Sequence, residues 1–249
     1  MATALPDLDF EQDFRRWARG RVAGTRAEKV YERMAARSGI DHRWSVLDEQ
    51  DAKLHQGEGL YGDDDAPPST AARMELYAKH APELALKAVG RLPELGDITH
   101  LVVASCTGFV APGIDQILAR RLGLGAHVER VLIGFMGCYA ALMAVSQFGD
   151  GAAAALVTGA GEGLALGDPL SVELEQSDEL IRWHIGDTGF EMHLSGEVPG
   201  RIRAALQDEG LRARITEGRD VGAIEAWAVH AGGRSILDAV EGGLGLGED

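Results

Sequence analysis

The chain has 249 residues, with 39 Asp and Glu against 24 Lys and Arg, for a formal net charge of −15. A surface this acidic repels nucleic-acid phosphate, and 45% hydrophobic with 25% charged residues describes a folded globular protein, not a disordered one. Two cysteines in apolar surroundings exclude a disulfide framework and fit a reducing cytoplasm.

No apolar run approaches the roughly 18 residues of a membrane helix, and the acidic start MATALPDLDFEQDF lacks the basic lead of a signal peptide. Neither a membrane span nor a leader is expected. In chain order, about Phe10 to Arg37 reads as helical, charged and rich in Arg, Glu and Ala. Its Arg15, Arg16, Arg19, Arg21, Arg26, Lys29, Arg33 and Arg37 form a basic patch on an otherwise acidic protein. By charge alone this is a solvated helix face. Residues 57–69 (GEGLYGDDDAPPS) read as an acidic loop, after which Ser69-Thr70 caps a helix from Ala71 to about Gly90.

The pattern then changes to strand–turn–helix units. Ile98–Ala104 is a β-branched apolar run entering Ser105-Cys106-Thr107-Gly108, and Pro112-Gly113 opens the helix IDQILARRLGL. Val128–Ile133 is a second strand, entering Gly134-Phe135-Met136-Gly137-Cys138 ahead of the small-residue helix YAALMAVSQ. Ala152–Thr158 is a third strand. Ile224–Val229 is a fourth, entering His230-Ala231-Gly232-Gly233 and the helix SILDAVEGGLGL. The first and last units share an apolar strand, a glycine turn and a closing LGL, which predicts a duplicated α/β architecture with a mostly parallel sheet. Ligands of such sheets bind beyond the carboxyl ends of the strands, where Cys106, Cys138 and His230 fall.

Cys138 is the sharpest chemical feature. It sits where a strand meets a helix among small residues, and a helix N-terminus lowers a thiol pKa through its dipole and open N–H groups. An inert core cysteine is the competing reading. His230, at an equivalent strand end, would complete an activated thiol–imidazole pair; alone, it reads as a structural hydrogen-bond partner. Cys106, between the turn-forming Ser105 and Thr107, is a site-lining or structural thiol. His42, His80, His100, His127, His184 and His193 lack metal-ligand spacing with the cysteines, so no metal site is expected. GAGEGLALG, residues 159–167, lacks the spacing and setting of a dinucleotide fingerprint.

The run ITHLVVASCTGFVAPGIDQILARRLGLGAHVERVLIGFMGCYAALMA resembles the central block of bacterial type III polyketide synthases, the chalcone synthase-like members of the thiolase superfamily. FGDGAAAALVTG, WHIGDTGFEMHLSGEVPGRI and WAVHAGGRSILDAVEGGLGL resemble later blocks in order, and RMAARSGIDHRW resembles the N-terminal portion. The resemblance implies an α/β, thiolase-like fold of duplicated strand–helix layers (αβαβα), incomplete in this chain. It implies residues 1–147 as the half carrying the nucleophile and 148–249 as part of the half carrying the histidine. It also implies a cytoplasmic homodimer with no permanently bound cofactor, acting on malonyl-CoA and an acyl-CoA starter.

By the same resemblance Cys138 carries the acyl group and His230 activates it. Arg33 and Arg37 match positions binding coenzyme A phosphates. Phe148 and Met192 match the two gatekeepers, Met192 standing where the family has Phe. Ala111 matches a residue lining the partner's cavity, and Thr107 is assigned to the cavity wall. The expected reaction is decarboxylative condensation followed by closure to a pyrone or resorcinol-type ring.

Three departures qualify the match. Several tens of residues expected between Gln147 and Phe148 are missing, and so are the usual N-terminal strand and the G-N-M-S segment with the catalytic asparagine. The sequence contains no Asn at all. Loss of a core strand would consume much of a stability of about 5–15 kcal/mol, so omission of segments from the sequence is the favoured reading. A catalytically impaired truncated homologue serving as a dimer partner is the alternative, with a ketoacyl synthase of the initiating type as a sister possibility.

Overall fold

A computed structural model describes residues 2–47, 68–134, 152–157, 165, 167–168, 170–230 and 232–247. The chain divides into two compact units, Met1–Val157 with Asp187–Gly189, and Thr158–Gly186 with Phe190–Asp249.

The first unit begins with β1 (Ala2–Ala4) and β2 (Leu8–Asp9). The charged segment is helical as expected, in two helices, α1 (Glu11–Val22) and α2 (Arg26–Arg37). The break is local chemistry. Gly24 takes φ +72°, a left-handed conformation that ordinary side chains resist, and the Thr25 hydroxyl accepts the Ala27 N–H to start a new helix. Arg19 then bridges the pair, reaching Glu32 at 3.0 Å and Glu28 at 3.6 Å. Next, β3 (Trp44–Ser45) pairs antiparallel with β2.

The long helix α3 (Thr70–Val89) starts where the sequence places its cap, with Ser69 Oγ accepting the Ala72 N–H at 3.2 Å. It runs through Pro82, which is buried with Leu84 and Ala88. Against that face pack Ala4, Ala152 and Ala154, whose methyl side chains let β1 and β6 (Ala152–Ala154) lie close to the helix. β6 is shorter than the predicted Ala152–Thr158, and it runs antiparallel to β1 instead of joining a parallel sheet. Its partner is the reason: β1 is three residues long, and Pro6 beyond it has no N–H to extend a ladder.

β4 (His100–Ser105), α4 (Ile114–Arg121) and β5 (Glu129–Gly134) form the predicted strand–turn–helix–strand unit, with β4 and β5 parallel. α4 buries Ile114, Leu118 and Ala119, and Arg121 on it grips Glu83 of α3. The register pairs His100 with Glu129 and Ser105 with Gly134, so the chain leaves both strands at one edge. This is the one parallel pair among the described residues.

In the second unit β7 (Ile181–Gly186) and β8 (Gly189–Leu194) pair through the two-residue connection Asp187-Thr188, which makes them a hairpin. α5 (Val198–Gln207), α6 (Glu209–Ile215) and α7 (Arg234–Leu244) follow. α6 is capped by Asp208, and α7 ends at Gly245 with φ +70°. α5 and α7 approach closely because Gly243 has no side chain: a Cβ there would lie 2.8 Å from Leu206 Cβ. The expected strand Ile224–Val229 is absent. A 3-10 turn (Val221–Ala223) capped by Asp220 leads into irregular chain up to His230. An apolar run becomes a strand only when another strand offers it hydrogen bonds, and none does so here among the described residues.

Candidate functional site

The edge where β4 and β5 end holds a cavity of about 140 Å³ in the first unit. Phe109, Val110, Ile114 and Leu132 make its apolar wall, with Tyr77 and Ser105 as its polar members. Tyr77, from α3, donates its hydroxyl proton to Ser105 Oγ at 2.6 Å. Its ring lies over Gly108, where any Cβ would overlap it. Burial pushes the phenol above its ordinary pKa, with the Ser105 hydrogen bond opposing and the nearby Cys106 adding to the rise. Tyr77 therefore keeps its proton at neutral pH.

Gly134, the last residue of β5, also lines this cavity. Cys138 follows four positions later in the sequence. Cys138 and Phe148 lie outside the described residues. Cys106 is half-buried directly after β4, and Thr107 beside it is exposed. Ala111 is exposed ahead of α4, on the amino side of a cis bond to Pro112. Met192 lies in β8 and is 52% exposed. His230 is exposed; its carbonyl accepts the Gly232 N–H at 2.9 Å in the turn before α7.

Part of the basic patch is internally neutralised. Arg15 pairs with the buried Glu11, Arg16 with Asp13 at 2.8 Å, and Arg19 with Glu28 and Glu32. Arg33 and Arg37 stand one helical turn apart on α2, both exposed, and Arg33 Nε donates to the Lys29 carbonyl at 3.3 Å. Two cations at that spacing can meet an anion together.

Sequence reasoning passed over Tyr77. On a helix its spacing looks like any core aromatic, and its partner lies 28 residues away. The β7–β8 hairpin was also passed over, although Asp187-Thr188-Gly189 between alternating polar and apolar residues is a hairpin signal. No cluster of His, Cys, Asp and Glu able to hold a metal occurs among the described residues.

The sequence signature of the chalcone and stilbene synthases, N-terminal domain, matches residues 9–146, more than half the chain. The chain belongs to this family. Type III polyketide synthases of this family are acyltransferase-type enzymes. The alpha-pyrone synthesis polyketide synthase-like Pks18 of Mycobacterium tuberculosis is 28% identical over 273 residues, covering 89% of this chain and 67% of that protein. Among solved structures, PKS-I from the brown alga Ectocarpus siliculosus superposes with a TM-score of 0.74 at 24% identity. That superposition takes in 99% of this chain and 79% of the algal chain. CsyB complexed with CoA-SH gives 0.74 at 22% identity, over 99% of this chain and 82% of the other. Both superpositions speak for the fold: it is the thiolase-like α/β fold of type III polyketide synthases, as the sequence motifs implied.

Proposed function

We propose that the chain is a type III polyketide synthase that condenses malonyl-CoA with an acyl-CoA starter on Cys138. The observation carrying this is the family match over residues 9–146, which includes Gly137 and Cys138. The likeness to Pks18, an alpha-pyrone synthesis protein, supports a pyrone-type product, and CoA-SH in the CsyB complex supports coenzyme A thioesters as substrates.

In this reading His230 accepts the Cys138 thiol proton, and the thiolate attacks the starter's thioester carbon. Coenzyme A leaves as a thiol once it takes that proton back. Malonyl-CoA loses carbon dioxide, and its enolate carbon attacks the acyl–Cys138 thioester. A carbon–carbon bond forms, the Cys138–acyl bond breaks, and the β-ketoacyl chain passes to coenzyme A. Arg33 and Arg37 hold coenzyme A phosphates, while Phe148, Met192, Ala111 and Thr107 shape the cavity. Residues 1–147 supply the nucleophile and 148–249 the histidine, within a cytoplasmic homodimer.

Cys138→Ala should abolish product formation from malonyl-CoA across a panel of acyl-CoA starters, read by mass spectrometry; undiminished product in that variant would refute the nucleophile. The absence of asparagine from the sequence supports a second reading, a catalytically impaired homologue that dimerises with an active partner. Iodoacetamide at neutral pH separates the two. An activated Cys138 is alkylated well ahead of Cys106, whereas an impaired relic shows two equally sluggish thiols.

A further inference from the structure

We infer that Tyr77 is a positioning residue: its hydrogen bond to Ser105 and its ring contact with Gly108 fix the turn carrying Cys106 and Thr107, and thereby set the shape of the adjoining substrate cavity. The inference rests on the acyl-CoA reading above and extends it to a residue that reading does not use.

The turn leaving β4 is held from two sides. On one side the β4–β5 ladder reaches its last pair, Ser105–Gly134, directly before Cys106. On the other side α3 presents Tyr77, whose hydroxyl meets the Ser105 side chain at 2.6 Å. Three residues further on, Gly108 is buried, and the Tyr77 ring occupies the space a side chain would take there. One aromatic residue thus touches the chain on both sides of Cys106 and Thr107. The same ring is a wall of the 140 Å³ cavity, alongside Phe109 and Leu132. A void of this size matches the roughly 150 Å³ that accommodates a benzene-sized group, so a small shift of the turn changes what fits.

Ordinary core packing would require the ring but not the hydroxyl. The test therefore removes the hydroxyl alone, in the full chain. With Cys138→Ala as parent, so that Cys106 is the one thiol left, Tyr77→Phe and Ser105→Ala should each speed iodoacetamide alkylation of Cys106 about fivefold, the equilibrium weight of one net hydrogen bond. The double variant should go no further, because both changes remove the same bond. Ser105→Thr, which keeps the hydroxyl, should behave as the parent.

With Cys138 intact, Tyr77→Phe should shift the distribution of chain lengths made from malonyl-CoA and one acyl-CoA starter. Alkylation unchanged in Tyr77→Phe, additive effects in the double variant, or faster alkylation with an unaltered product distribution would each overturn the inference. Should Tyr77→Phe fail to fold, Ser105→Ala carries both measurements. If the unsubstituted protein forms no product from any starter, the acyl-CoA reading fails, and the thiol rates still decide whether Tyr77 positions the turn.

Discussion

Glu11 opens α1 at 6% exposure, and an unpaired carboxylate at that depth would be costly. It is held by Arg15 from its own helix and by Arg43 ahead of β3, and Arg43 also covers the Phe14 ring at 4.4 Å from the centroid. Beside this clamp, Asp9 accepts the Arg43 backbone N–H and meets His42 Nδ1 at 2.6 Å. The hydrogen bond to Asp9 raises the His42 pKa above 6.5, with Asp41 and Glu11 adding to it, and the same bond lowers Asp9 below 3.8. The sign follows from linkage. The raised histidine contributes stability below about pH 6.5 that is lost as pH climbs through its folded value. The lowered carboxylate contributes above about pH 3.9 and is lost as pH falls through its folded value. His42→Gln should therefore lower the thermal midpoint most near pH 5, with the difference closing toward alkaline pH. An NMR titration of His42 with its midpoint at or below that of an ordinary histidine would remove the Asp9 pairing.

Among elements, the α5–α7 contact depends on the absence of a side chain. Gly243 faces Leu206 Cβ and the Arg203 carbonyl, while Gly242 faces the Arg203 guanidinium. Gly243→Val forces the helices apart, so a loss of about 1–3 kcal/mol in urea unfolding is expected, as for an overpacked core. Gly242→Ala should cost less, because a flexible guanidinium can move aside. The β4–β5 sheet shows the opposite situation. Val102 is 61% exposed and its register partner Val131 is 50% exposed, although parallel sheets are ordinarily covered on both faces. Nothing among the described residues covers that face.

For the whole molecule, the net charge of −15 works against every coenzyme A ester, so an anion entrance must be a local correction of the field. Arg33 and Arg37 on α2 are the exposed pair proposed for it. Replacing both with Ala should raise KM for acyl-CoA about three- to tenfold at low salt, with kcat within about twofold and the difference shrinking as ionic strength rises. An unchanged KM would take them off the substrate path.

No helix among the described residues is long and apolar enough to cross a membrane. Family membership and fold were both legible in the motif order, because the blocks around Cys106 and Cys138 keep the family's sequence wording. Of the candidate site, the described part that matches the sequence reading is the turn after β4: Cys106 follows that strand directly, whereas no strand leads into His230. Cys138 and Phe148 fall outside the described residues, so their assignments rest on wording alone.

By itself the sequence determined what neighbours in the chain can decide. The Ser69 cap, the β4–α4–β5 unit, the glycine stop of α7 and the family wording all rest on residues a few positions apart. Even the split between α1 and α2 was written locally, in Gly24 and Thr25. Only the tertiary structure decided which apolar runs found a partner strand. It also decided which arginines were already spent on carboxylates and which aromatic reached Ser105. The physical reason is the same in each case. A ladder, an ion pair or a hydrogen bond between distant segments forms only when the fold brings both partners together, and residue spacing along the chain carries no record of that meeting.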